Sequence, residues 1–395
     1  MRSKLLTSVA VASFAVVALP QAASAAATMK ISGSYESNMS WTQETLQMKP
    51  VNSPSSGGLI GRLRLQFDPS MEVDGLTVGA RLRTNAGDGT YGYDKAFGYV
   101  SGGFGKVTFG RNGALGYAGT FGEVYGNDGQ GMVGPDQASV MTKAFTGHVN
   151  GRIEGAMGNY VDGAGKGAGN ANTINIETPS MGGFQAGVTY APKWGTDKDW
   201  GNSRGDHAAY TNAYEIAAKY SISAGGADVN VAAGYLAASA PIPTGSVGTA
   251  TNPTGKALVN PIASFGASIN VKVADFYAEF GYTNAGDSTL PVSENMKDKV
   301  SEDTTAMTVT LGYHVTKDIA VGGYFATGSG TADNLTSTDK LTEIGIGAQY
   351  TVIPGFSVYI AGDQVNSTNE PSAASGGKSK TDKASVLSIG STITF

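Results

Sequence analysis

Cysteine is absent from the chain, and histidine and tryptophan occur three times each in 395 residues. Without thiols there are no disulfides, so an exported chain of this composition holds itself together by a large core or an unbroken hydrogen-bond ladder. The histidines, His148, His207 and His314, are scattered with no spacing that suits a metal site. Long apolar runs are missing too. After the first twenty-odd residues no stretch reaches the length of a spanning helix, and the mean hydropathy is slightly negative, which excludes a helical membrane protein. A membrane β-barrel survives that test, because only its outward face is apolar and its per-strand signal is weak. Positive charge is in deficit, with 27 Lys and Arg against 32 Asp and Glu, which argues against nucleic acid as a partner.

Enzyme chemistry is equally hard to find. The GGKS stretch at 376–379 lacks the phosphate-loop glycine, because Ser372 stands in its place, and no strand leads into it. No G-x-S-x-G elbow lies between a strand and a helix. No catalytic, cofactor-binding or metal-binding residue is assigned.

The chain opens with Arg2 and Lys4, an apolar run from Val9 to Leu19, and small residues around Ala23-Ser24-Ala25. That is the pattern of a secretory signal peptide spanning 1–25, with cleavage expected after Ala25 or Ala27. Residues 26–395 then form a single domain. Glycine is abundant, at 57 residues, about twice the usual share.

Seven short turn-plus-strand units recur: DGLTVGARL (74–82), GGFGKVTFG (102–110), GGFQAGVTY (182–190), GGADVNVAAGY (225–235), ADFYAEFGY (274–282), KDIAVGGYF (317–325) and PGFSVYIAG (354–362). Each opens on residues suited to a tight turn and is preceded by another alternating strand, such as RLRLQF (62–67) or MTVTLGYHV (307–315). Eight longer connections rich in Gly, Ser, Thr, Asn, Asp and Pro lie between, near 43–57, 87–92, 112–170, 191–209, 239–259, 286–303, 328–340 and 365–383. Seven turns and eight loops join sixteen strands, with both chain ends on the short-turn side. This predicts an all-β fold, a 16-stranded antiparallel transmembrane barrel with short periplasmic turns and long external loops.

The two faces of the strands agree with lipid outside and water inside. Leu63, Leu65 and Phe67 share one face, and Arg62, Arg64 and Gln66 the other. Phe104, Phe184, Phe276 and Phe356 follow turns while Tyr220, Tyr313 and Tyr350 precede them, as an interfacial girdle requires. A soluble sandwich with the opposite sidedness shares the alternation, but would not bury Arg, Lys, Glu and His at strand centres.

Arginine is scarce and uneven, five of the seven beyond the leader falling between residues 62 and 111. A register with index sums near 145 sets Arg64 against Arg81 and Arg62 against Arg83, a basic patch on the inner wall. Directly opposed like charges cost stability, so acids are expected nearby. Glu123, Asp128 and Asp136 lie on the longest connection, in a glycine-rich stretch able to fold tightly against the wall. Acids there facing wall arginines would set a transverse field at a narrow point.

The chain resembles a general diffusion porin of Gram-negative outer membranes, most similar to those of the alphaproteobacteria. The resemblance rests on the leader, on GFGKVTFGRN (103–112) running into a long glycine-rich third loop, on the arginine-bearing early strands and on the terminal Phe395. It implies a third loop folded into the lumen, with Glu123, Asp128 and Asp136 opposite Arg62, Arg64, Arg81 and Arg83 at the constriction. It further implies a homotrimer in outer-membrane lipid, passive diffusion of ions and small hydrophilic solutes, and Phe395 as a signal to the barrel-assembly machinery. The segment 112–170 is longer than the usual constriction loop. A substrate-specific channel for phosphate or a sugar, and a structural or adhesive surface protein, are the competing readings.

Overall fold

The computed structural model describes residues 27–45, 58–87, 90–112, 172–194, 210–239, 262–286, 302–332, 338–369 and 380–395. They form sixteen strands: β1 (Thr28–Thr45), β2 (Gly58–Val73), β3 (Leu76–Gly87), β4 (Thr90–Gly102), β5 (Gly105–Arg111), β6 (Asn172–Glu177), β7 (Phe184–Trp194) and β8 (Tyr210–Ala224). Then follow β9 (Ala227–Ser239), β10 (Ile262–Val273), β11 (Phe276–Gly286), β12 (Glu302–His314), β13 (Ile319–Ala332), β14 (Thr338–Ile353), β15 (Phe356–Asn369) and β16 (Lys380–Thr394). Each strand pairs with its sequence neighbours, and β1 pairs antiparallel with β16 to close the barrel.

The short turns fall where the sequence placed them. Asp74 and Gly75 have φ of 51° and 78°, and Gly225 and Gly226 have 61° and 82°. Two successive left-handed residues form the turn whose twist matches a hairpin, which is why Asp-Gly and Gly-Gly stand there. One long connection differs from expectation. β3 and β4 stay paired up to Gly87 and Thr90, so the strands run into the connection predicted over 87–92.

Cross-strand register sorts the side chains into two faces. Ile216, Ile269, Leu311, Ile346, Ile360, Leu387 and Ile389 point outward and are exposed. Below them, toward the short turns, stand Phe184, Tyr220, Phe276, Tyr313, Tyr350 and Phe395; above stand Trp41, Tyr190, Tyr214, Tyr235 and Tyr282, all exposed. An aliphatic belt between two aromatic girdles is far larger than the apolar patch a water-soluble monomer tolerates, and it matches a bilayer.

The last residue belongs to the closing seam. The Gly33 N–H donates to the Phe395 carbonyl at 2.9 Å, and the Phe395 N–H donates back to the Gly33 carbonyl at 3.1 Å. The Phe395 ring lies across Gly33, where a Cβ would meet its Cζ at 2.7 Å. The ladder therefore runs to the end of the chain, leaving no open edge at that point for lipid to meet.

Candidate functional site

The inner wall is built by the same alternation that builds the outer belt. Arg62, Arg64, Gln66 and Asp68 point inward from β2, and Arg81, Arg83 and Asn85 from β3. The register between these strands differs from the expected one. Arg64 stands opposite Asn85, Arg62 opposite Gly87, and Gln66 opposite Arg83. The reason lies in the turn: index sums of 145 centre it between Glu72 and Val73, whereas the left-handed conformations fall on Asp74 and Gly75, so the hairpin closes with Val73 opposite Leu76. The four arginines share the inner wall but are not opposed pairs.

Each guanidinium of this wall has a defined neighbour. Arg62 donates through Nη2 to Glu36 Oε2 of β1 at 2.9 Å. Arg81 donates through Nε to Asp68 Oδ1 at 2.6 Å, and its guanidinium lies 5.7 Å from the centroid of the Phe97 ring. The Gln66 amide donates to the other Asp68 oxygen at 2.7 Å. Arg64 donates through Nε to Asn85 Oδ1 at 2.9 Å. Arg83 stands directly opposite Lys95 of β4, and the Lys95 ammonium donates to the Asn112 carbonyl. Planar guanidiniums pinned by carboxylate and amide oxygens hold a fixed orientation, which a flexible ammonium alone would not.

The wall thus supplies acids of its own, Glu36 and Asp68, that the sequence reading did not single out. Extending the alternation of SYESNMS and LQFDPS by one inward position would have found both. The acids that were named, Glu123, Asp128 and Asp136, lie outside the described residues.

The rest of the wall carries a second polar set. On β13–β15 the Tyr324 hydroxyl donates to Asp363 Oδ1 at 3.2 Å and stands 3.5 Å from Glu343 Oε2. Tyr324 and Asp363 crowd into the space over Gly345, which a Cβ would fill. On β9–β11, Asn230 donates to Asn270 at 2.8 Å, and the Tyr277 hydroxyl donates to Glu279. Glu215, Glu279, Glu343 and Asp363 are 1%, 5%, 0% and 5% exposed. Nearer the short turns of β8–β10 the wall is wet, with Asp228, Lys272, Ser221 and Ser223 exposed. His314 points inward opposite Ala320 and is half-buried. Among the described residues no group of three or more His, Asp or Glu side chains could hold a metal ion.

A closed sixteen-stranded barrel, apolar outside and charged within, is a membrane pore of the outer-membrane type, since barrels of this strand number leave an aqueous lumen. Residues 10–370 match the model of the Gram-negative porin family, and the chain belongs to that family. It is an outer-membrane protein whose architecture is that of a channel. Solved structures share the fold at low identity. The anion-selective porin from Comamonas acidovorans is 14% identical, with 94% of this chain and 100% of that one covered and a TM-score of 0.54. The trimer form of OmpT, an outer-membrane protein of Vibrio cholerae, is 16% identical over 94% and 100% of the two chains, with a TM-score of 0.55. The outer-membrane channel DcaP of Acinetobacter baumannii is 10% identical over 93% and 97%, with a TM-score of 0.56. No curated protein sequence matches the chain.

Proposed function

We propose that the protein is a general diffusion porin, passing ions and small hydrophilic solutes passively across the outer membrane. The observation that carries this reading is the cluster of oriented, half-exposed guanidiniums on the inner wall of a barrel whose outer face suits lipid. Such a wall adds a field to a size filter, and neither component needs an energy source or a cofactor. In this reading Arg62, Arg64, Arg81 and Arg83 form the wall side of a constriction, and Glu123, Asp128 and Asp136 are its loop side. Residues 1–25 are the export signal, and 26–395 the mature barrel.

The trimer form of a structural neighbour supports assembly as a homotrimer. The pairing of Phe395 with Gly33 supports a role for the terminal residue in recognition by the barrel-assembly machinery, because the last hydrogen bonds of the seam depend on it. Planar-bilayer recording of the purified protein tests the central reading. Stepwise conductance in simple salt is expected; a membrane that stays silent at high protein density contradicts it.

A further inference from the structure

Outward side chains of the barrel meet lipid, and charge is rare among them. Of the outward strand residues whose exposure is described, two charged ones are exposed, Lys340 on β14 and Lys383 on β16. Both stand high on the wall. Tyr350 of the lower girdle lies ten residues below Lys340 on its strand, and Phe395 lies twelve below Lys383. At about 3.3 Å per residue and a tilt near 40°, that is roughly 25–30 Å, the upper edge of an apolar band about 25 Å tall. The upper edge also differs in kind around the barrel. On β7–β11 it carries the exposed rings of Tyr190, Tyr214, Tyr235, Phe265 and Tyr282. On β13–β16, above Phe325, Ile344, Ile360 and Leu387, the outward side chains are hydroxyls, amides and the two lysines. We propose that the upper outer face of β14–β16 binds the phosphate of an anionic lipid headgroup in the outer leaflet, with Lys340 and Lys383 as its cations.

The ladder sets these groups close together. Lys340 stands opposite Thr368 of β15, Thr368 opposite Thr381 of β16, and Lys383 opposite Asn366. The two lysines are thus two strands and two residues apart, roughly 12 Å between Cα atoms on the spacings of a sheet. Two long, flexible stems can bring both ammoniums to one phosphate over that span. Between them the Thr368 and Thr381 hydroxyls are 3.2 Å apart, and Asn366 adds an amide, so neutral donors face the same spot. An ammonium has three donors, so a contact that a lysine already makes leaves it others to give. No Asp or Glu among the described residues points outward from β13–β16. A patch with two cations and no carboxylate does not complement itself in a second copy of the chain, whereas it complements a phosphate held at headgroup depth.

Native mass spectrometry tests the site. The purified protein is titrated with phosphatidylglycerol, which is anionic, or with zwitterionic phosphatidylcholine of the same chains. The wild type is compared with Lys340→Gln, Lys383→Gln, Lys383→Arg and Lys30→Gln. The wild type is expected to bind phosphatidylglycerol more tightly than phosphatidylcholine. Lys340→Gln and Lys383→Gln are each expected to weaken phosphatidylglycerol binding about fivefold, the size of one cation at an anionic lipid surface, and Lys383→Arg to retain it. Lys30 is exposed on the inner face near the short turns, so Lys30→Gln is expected to bind as the wild type does. Equal affinity of the wild type for the two lipids overturns the proposal, as does equal weakening in Lys30→Gln. So does a loss of oligomer mass in Lys340→Gln or Lys383→Gln with phosphatidylglycerol affinity unchanged, which would make this face a contact between copies of the chain.

Discussion

Arg62 on β2 and Glu343 on β14 both cross the membrane on strands, both point inward and both bear a formal charge. Yet 30% of the Arg62 side chain meets solvent, and Glu343 is fully buried. In the ladder Arg62 stands between Glu36 and Gly87, with Arg64 two residues along the same face. Around Glu343 the neighbours are small or apolar, with Ala326 and Val365 beside it in the ladder and Leu341 two residues away, and all three are fully buried. Among the described residues, the inward charged side chains of β2–β4 meet solvent, whereas many inward side chains of the other strands do not. The lesson is that in this barrel a charge earns a functional reading by its access to water, not by its position on the inner face.

That contrast can be broken in several ways, and the largest effect should come from forcing a charge into the withdrawn wall. Ala326 is fully buried on β13; Ala326→Arg is expected to cost about 4 kcal/mol or more through overpacking and burial of an unpaired charge. Asn85→Arg, on the wet side, loses the Arg64 hydrogen bond and opposes two guanidiniums in water, and is expected to cost about 1–2 kcal/mol, well under the Ala326→Arg loss. Urea unfolding of the reconstituted barrels, followed by gel mobility, measures both, and equal losses would erase the distinction. Next in size is the lipid face of the same far wall. Ile389→Lys should destabilise by about 2–4 kcal/mol, the cost of a cation near the bilayer midplane.

Removing the hydroxyl of Tyr324 should cost about 1–3 kcal/mol, because Asp363 and Glu343 then lose a donor in a site water does not reach. Tyr99→Phe, on β4, keeps the ring that lies 4.9 Å from the Lys106 ammonium and is expected to change stability by less than about 0.5 kcal/mol. The smallest effect belongs to the ion pair of Arg62 and Glu36. A double-mutant cycle with Arg62→Gln and Glu36→Gln should return about 0–1 kcal/mol, as for other pairs open to solvent. A coupling energy of several kcal/mol would mean that the β2–β4 side is as dry as the rest.

Much of the fold was legible because a barrel wall writes itself as period two. The alternation in GRLRLQF and MTVTLGY assigned inside and outside, and the Gly-Gly and Asp-Gly turns counted the hairpins. The terminal SVLSIGSTITF keeps the same period to its last residue, and as β16 it pairs with β1, with Phe395 meeting Gly33. What escaped was register. Periodicity fixes which face a residue takes, but sliding β2 past β3 by an even number leaves the faces intact, so Arg64 opposite Arg81 and Arg64 opposite Asn85 fit the pattern equally well. Only the left-handed conformations at Asp74 and Gly75 decide between them. The depth of burial along the inner face was also hidden, because Glu343 and Glu36 occupy the same inward position in their strands and differ in what surrounds them.

The absence of native cysteine allows a direct comparison of the two sides. Asn85→Cys on β3 and Ala217→Cys on β8 place one thiol on each, inward on both strands. A charged, water-soluble thiol reagent added during planar-bilayer recording should step the conductance of Asn85→Cys down within seconds and leave Ala217→Cys unaffected. Equal modification and equal block of the two variants would contradict a lumen with one wet side and one withdrawn side.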